Sequence, residues 1–312
     1  MNNAFTKYRT WSWYEATARE RVANLLDRGS FTEFIGPEKR EISPHLALFD
    51  LPEAFDDGII VGRGTVRGRD VLLAAQEGRF MGGTFGEVHG AKLVGLLRYA
   101  RDYQDAPRVV VLLLDTGGVR LQEANVGELA VSEVIRAVLE ARMAGVTVIA
   151  MVGGRAGCFG GGGIVVGIVA GCCSRIVISE QGRTSVSGPE VIETNMGVEE
   201  FDSRDRPLVW RTTGGKTRRL LGGADAYAED SIDSFRDVAI SLLDRIPAFD
   251  LDTMEKEHAR LTQRLEKFGQ CHDTPEIWKA MGIAEPDRIA DLSDEDFNQI
   301  AQAQKEANHD AR

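Results

Sequence analysis

Two nearly uninterrupted aliphatic runs, Arg108-Val109-Val110-Val111-Leu112-Leu113-Leu114-Asp115 and Val146-Thr147-Val148-Ile149-Ala150-Met151-Val152, constrain this chain most, because each empties into a glycine turn. Apolar residues at almost every position leave no face for water, so each run reads as a strand buried on both faces, as in a parallel sheet covered by helices. Between them Val131, Val134, Ile135, Val138 and Leu139 recur at helical spacing, which predicts a helix over roughly Gln122 to Met143 that stops at Gly145. A third run, Arg175-Ile176-Val177-Ile178-Ser179, follows another expected helix. Strand, helix, strand, helix, strand in this order predicts an α/β fold with parallel strands, flanking helices and right-handed crossovers.

The segments before this centre read as a lead-in. Ala16, Arg19, Val22, Ala23 and Leu26 form one stripe of a helix over Trp13 to Arg28, with Gly29 as its stop. Gly58 to Gly62 and Asp70 to Ala75 read as a hairpin with bends at Gly64 and Gly68, and Gly86 to Tyr103 as a helix. Residues 1–230 are expected to form the main domain, and residues 231–312 a helical extension packed on it or on a partner.

Composition excludes several classes. With 43% hydrophobic residues in 312, the chain can bury a large core and is not disordered or disulfide-stapled. The net charge of −11 lies wholly in the tail, since residues 225–312 hold 21 acids against 10 bases. No basic face for nucleic acid is expected. No apolar run approaches the ~20 residues that span a bilayer, so no membrane association is expected and the location is expected to be cytoplasmic. Cys158, Cys172, Cys173 and Cys271 lack the spacing of a zinc knuckle or a redox pair, so no metal is expected. Cys158 reads either as a nucleophile or, without a nearby His or Asn, as a small buried thiol.

Chemistry is expected where the buried strands end, at Thr116-Gly117-Gly118-Val119-Arg120 and at Gly153-Gly154-Arg155-Ala156-Gly157-Cys158-Phe159-Gly160-Gly161-Gly162-Gly163, because ligands of open α/β sheets collect at this edge. Two turns that each aim a backbone N–H at one oxygen would form an oxyanion hole for an enolate. Two other readings stand beside it. A phosphate loop lacks its Lys-Ser/Thr after Gly163, and the glycines could serve only close packing of helix on strand.

Four motifs in order carry a family resemblance: Arg19-Glu20-Arg21-Val22 through Glu33, then Phe80-Met81-Gly82-Gly83-Thr84, Gly117-Gly118-Val119-Arg120-Leu121-Gln122-Glu123, and Ser187-Gly188-Pro189-Glu190-Val191-Ile192-Glu193. Over roughly residues 15–230 the chain resembles the beta domains of acyl-CoA carboxyltransferases, which have the crotonase-like (ClpP/crotonase) fold. It departs from the bacterial acetyl-CoA carboxylase pattern by lacking a four-cysteine zinc ribbon, by AGCFGGGG in the second loop, and by Trp210-Arg211-Thr212-Thr213-Gly214-Gly215-Lys216-Thr217-Arg218-Arg219. These departures make it most similar to the beta-subunit family of biotin-independent malonate decarboxylases.

The resemblance implies decarboxylation of a malonyl thioester held on the phosphopantetheine-type group of an acyl carrier protein, with a gamma subunit of related fold as partner and with neither biotin nor metal. It implies oxyanion donors at Gly118 or Val119 and at Gly161 or Gly162, with Gly82, Gly83, Gly117, Arg120, Gly160 and Gly163 lining the substrate. Arg120 reads equally as a holder of the malonyl carboxylate or as half of a structural ion pair. Glu123 is a candidate proton donor or a first-turn helix acid. His45 and His89 read as isolated, and Ser185 and Ser187 lack triad partners. Arg204, Arg206, Arg211, Lys216, Arg218 and Arg219 read either as a docking patch for an acidic carrier or as a solvated loop. A biotin-dependent carboxyltransferase subunit and a noncatalytic assembly subunit remain the alternatives.

Overall fold

The computed structural model describes residues 11–48, 50, 58–160, 168–243 and 249–307. The strands are β1 Thr32–Glu33, β2 Ile59–Val66, β3 Arg69–Gln76, β4 Val109–Leu114, β5 Thr147–Val152, β6 Cys158–Phe159, β7 Arg175–Ile178, β8 Thr184–Ser185 and β9 Ala226–Tyr227. The helices are α1 Ala18–Leu25, α2 His45–Leu48, α3 Glu87–Asp102, α4 Asn125–Met143, α5 Ile168–Gly171, α6 Pro189–Met196, α7 Arg206–Thr213, α8 Gly215–Leu220, α9 Ile232–Leu242, α10 Leu251–Phe268, α11 Thr274–Ala280 and α12 Asp294–Ala307.

Seven strands form one sheet in the order β1-β2-β3-β4-β5-β7-β9, and β6 pairs with β8 in a small second sheet. From β3 onward every pairing is parallel, while the β2–β3 hairpin is antiparallel. The aliphatic runs have the expected role. Along β4, Val110, Leu112 and Leu114 enter the core with α3 and α4, while Val111 and Leu113 enter the core with α1 and α9. β5 alternates in the same way, with Val148, Ala150 and Val152 on one side and Ile149 and Met151 on the other.

Several boundaries differ from expectation for local reasons. α1 begins only at Ala18, because Thr17 and Glu20 form a reciprocal cap, and it ends where Leu26 turns extended. Trp13 precedes it as a buried side chain whose ring stacks on Phe235 with centroids 3.9 Å apart. The hairpin bends at Arg67-Gly68. Gly64 is instead inside β2, where a Cβ would come within 2.7 Å of Leu26 Cδ1. α4 starts at Asn125 because Leu121–Glu123 forms a separate 3-10 turn and Ala124 has φ 48°. The short strands β6, β8 and β9 carry no sequence periodicity and were not expected.

The tail does not stand apart from this body. Trp278, Ile283, Ile289, Phe297 and Ala301 join the same core cluster as Leu220 and Tyr227. Among the described residues no helix is long and apolar enough to cross a membrane.

Candidate functional site at the carboxyl edge of the sheet

Asp115 closes β4 and organises the edge. Its side chain is buried with that of Arg21, whose Nη1 donates to Oδ2 at 2.8 Å. Oδ1 accepts from the Ala156 N–H at 2.7 Å, and the Asp115 N–H donates to Gln76 Oε1 at 2.9 Å. Through its carboxylate and its backbone N–H, this one residue thus ties α1, the end of β3 and the second glycine turn to the end of β4. The backbone closes around it: a Cβ at Gly154 would fall 2.0 Å from Asp115 Cγ, and one at Gly83 1.8 Å from its carbonyl oxygen.

Three loops meet here. The Gly117 N–H donates to the Gly82 carbonyl at 2.9 Å, and the Phe85 N–H to the Gly118 carbonyl at 2.8 Å. Gly118 (φ +121°) and Gly160 (φ +109°) touch through their α-carbons, so that a Cβ on Gly160 would sit 2.5 Å from Gly118 Cα. Glycine alone allows both the dihedral and the approach.

The two turns do not offer equal donors. The Gly118 N–H is bonded to Thr116 Oγ1 at 3.1 Å, and the Gly160 N–H to the Val186 carbonyl at 3.1 Å. Val119 forms a parallel bridge with Phe85, in which the Arg120 N–H and the Gly118 carbonyl serve Phe85. The Val119 N–H itself has no acceptor among the described residues. Below lies a small pocket lined by Phe85, Leu114, Val119, Cys158, Phe159 and Val169. Gly161, Gly162 and Gly163 lie outside the described residues.

Burial decides several roles that the sequence leaves open. Arg120 and Glu123 form a pair at 3.0 Å with side chains 1% and 0% exposed. Arg120 Nη2 also donates to the Thr84 carbonyl at 2.8 Å, while the Glu87 N–H donates to Glu123 Oε2 at 2.6 Å. The pair therefore clamps the start of α3 to the first turn, and neither side chain is offered to a malonyl carboxylate or an enolate carbon. Burial, with Asp115's charge adding to it, pushes the Cys158 thiol up to about 12, which leaves it a neutral packed thiol at physiological pH.

The histidines are not isolated. His45 Nδ1 lies 2.9 Å from Glu87 Oε2. His89 is fully buried, with Nε2 2.9 Å from Gln76 Nε2. Because the Gln76 carbonyl is committed to Asp115, its amide donates to His89, which fixes this histidine as part of the frame.

The basic stretch divides. Lys216, Arg218 and Arg219 are buried, because α8 packs under the tail. Lys216 Nζ donates to the Leu292 carbonyl at 2.6 Å, Arg218 Nε to the Thr184 carbonyl at 2.9 Å, and Arg219 Nη1 toward the Ala224 carbonyl at 3.5 Å. They cannot form a docking patch. Arg204, Arg206 and Arg211 are exposed, and Arg206 lies over the Trp210 ring at 5.2 Å.

Glu180, just past β7, was not anticipated. Its Oε2 accepts from the Lys216 N–H at 2.7 Å, and burial raises its pKa to about 7 against that bond. A carboxyl raised from 4.5 on folding favours the protonated state, so its contribution to stability is largest in acid and falls as pH climbs from about 4.5 to about 7. At about 1.4 kcal/mol per unit this is on the order of 3 kcal/mol. Glu180→Gln is expected to flatten the pH dependence of the urea midpoint between pH 5 and 7; an unaltered slope would refute the assignment.

A model of the carboxyl transferase domain matches residues 14–257. The malonyl-S-ACP:biotin-protein carboxyltransferase of Malonomonas rubra is 38% identical over 96% of this chain and 98% of its own length. A Pseudomonas malonate decarboxylase hetero-tetramer, solved in complex with malonate, contains a chain that superposes with TM-score 0.72 and 39% identity, covering 81% of this chain and 91% of that one. A Pseudomonas malonate decarboxylase hetero-dimer gives TM-score 0.63 and 34% identity over 81% and 96%. The transcarboxylase 12S hexamer matches with TM-score 0.61 and 26% identity, where the chain spans 42% of that subunit.

Proposed function

The chain belongs to the carboxyl transferase domain family and has its crotonase-like α/β fold, and from that premise we propose that it is the beta-type subunit of a cytoplasmic malonate decarboxylase. The substrate of this reading is a malonyl thioester on the phosphopantetheine-type arm of an acyl carrier protein, and the products are acetyl thioester and CO2. The observation that carries it is the Val119 N–H, which has no acceptor among the described residues and lies on a turn in α-carbon contact with the second glycine loop and beside a small apolar pocket.

The chemistry requires little else of this chain. When the bond to the departing carboxylate breaks, its electron pair conjugates with the thioester carbonyl and charge develops on that oxygen. An N–H aimed there stabilises the enolate by about 3 kcal/mol per donor. Val119 supplies one donor, and the glycines from Gly161 to Gly163 are proposed to supply the second. Among the described residues no cation lines the pocket, which suits the reaction, since a tightly paired carboxylate resists leaving as CO2. A gamma-type subunit of related fold is proposed to complete the site, in keeping with the heteromeric Pseudomonas structures.

A second reading has its own support, because the Malonomonas rubra relative is named for transfer of the carboxyl group to a biotin protein. The same enolate then forms while the carboxyl group passes to biotin. CO2 release from malonyl thioester, measured for the chain with its co-expressed partner in excess avidin, separates the two. Release that ignores avidin supports the biotin-independent decarboxylase, and abolished release supports carboxyl transfer.

The exposed arginines give a further expectation. Arg206→Glu with Arg211→Glu is expected to raise the apparent KM for carrier-bound substrate roughly tenfold at low salt, with the difference shrinking as salt rises. A KM that does not respond would remove these residues from carrier docking.

A further inference from the structure

Arg183, half-buried just before β8, is a cation for which the fold supplies no counter-charge. Among the described residues it has no ion-pair partner, and its buried Nε has no acceptor. Burial holds its pKa below the ordinary arginine value. An apolar side chain of similar volume would avoid that desolvation, so packing alone does not account for a guanidinium here.

What the guanidinium does touch is the second glycine loop. Its Nη2 donates to the Arg155 carbonyl, and its Cζ lies 5.7 Å from the Phe159 ring centroid and 4.8 Å from that of Trp210 on α7. The backbone grips the same loop, since the Arg183 carbonyl accepts from the Cys158 N–H at 2.8 Å. Three residues on, the Val186 carbonyl takes the Gly160 N–H at 3.1 Å. Arg183 therefore holds residues 155, 158 and 159, directly before the Gly160 that meets Gly118, and α7 backs it through Trp210. Phe159 in turn lines the small apolar pocket beside Val119. Such a contact calls for arginine, whose planar fork can lie over a ring while donating in its own plane; an ammonium cannot do both. On the reading of the two glycine turns as the oxyanion site, we propose that Arg183 is a positioning residue, which keeps Gly160 in register with Gly118 and Val119 by locking Arg155 and Phe159 between β8 and α7.

Arg183→Met and Arg183→Lys, each in the full chain with its co-expressed partner, test this through two independent readouts. Malonyl-thioester turnover is expected to lose at least about tenfold in kcat in both variants, with KM within about twofold of wild type. Alkylation of Cys158 by N-ethylmaleimide, read by peptide mapping, is expected to quicken at least about tenfold as the loop loosens. The urea midpoint of Arg183→Met is expected to stay at or above that of wild type, because the unpaired charge is gone. Trp210→Phe, which keeps a ring at the guanidinium, is expected to hold kcat within about threefold and to leave Cys158 protected. Unchanged kcat or unchanged alkylation in Arg183→Met, losses matched by a fall in its urea midpoint, or recovery of both properties in Arg183→Lys would each overturn the proposal. A wild type that releases no CO2 would instead overturn the decarboxylase reading, and Cys158 alkylation would still decide the role of Arg183.

Discussion

Gly160→Ala is expected to cut malonyl-thioester turnover by at least about a hundredfold, because a misplacement of the reacting groups by about 1 Å costs that much. The new Cβ would lie 2.5 Å from Gly118 Cα, a distance that cannot persist. The residue would also be held at φ +109°, where L side chains are strained by ~1–3 kcal/mol. Relief comes only by separating the two turns, which moves the Val119 N–H away from the second loop. The effect is expected in kcat more than in KM, because the displaced Val119 N–H is proposed to act on charge that develops only in the transition state. Full activity in a folded Gly160→Ala chain would mean that the glycine contact serves packing alone and that this chain does not hold the oxyanion site. The measurement uses the chain with its co-expressed partner, with urea unfolding of the same preparation to show that the variant is folded.

The second large expectation concerns stability. Asp115→Ala leaves Arg21 charged at a site where its side chain is 2% exposed, and removes the acceptor for the Ala156 N–H. Breaking a buried pair from one side costs about 3–5 kcal/mol. The same change in an Arg21→Met background is expected to cost distinctly less, because no buried cation is stranded. Urea midpoints of the four chains decide the point: equal losses in both backgrounds would show that Asp115 acts through the loop and not through Arg21. Cys158, lying in the loop that Asp115 supports, should become reactive toward thiol reagents in Asp115→Ala if the loop opens.

Much of the sheet was legible because burial on two faces leaves a mark no other environment leaves. β4, β5 and β7 fall where the aliphatic runs lie, and the turns that begin at Gly117-Gly118 and Gly153-Gly154 follow the strands that carry them. The shortest strands were not legible, since two residues have no period. The role of Arg120 was open between substrate and structure, because sequence spacing places Glu123 three residues on but does not say whether the pair faces the pocket or is sealed under α3. Lys216, Arg218 and Arg219 were misread as exposed for a related reason. The partner of Lys216 is Leu292, more than seventy residues later, and those of Arg218 and Arg219 are the Thr184 and Ala224 carbonyls, none of which a local pattern announces. Asp115 left a faint signal, an acid closing an apolar run, whereas its partner Arg21 stood in a motif of the resemblance with nothing in the sequence to join the two.

The packing of the tail against α8 and β9 sets an order of events during synthesis. Leu220 and Tyr227 share a core with Phe297 and Ala301, so the sheet edge at β9 stays wet on one side until the last helix has been made. At ~5–20 residues per second, the 77 residues from Leu220 to Phe297 take on the order of 4–15 s to appear. Through that interval Lys216 remains hydrated and the apolar patch around Tyr227 stays available to chaperones, so a chain cut short within the tail would carry both strand-end glycine turns but an open flank.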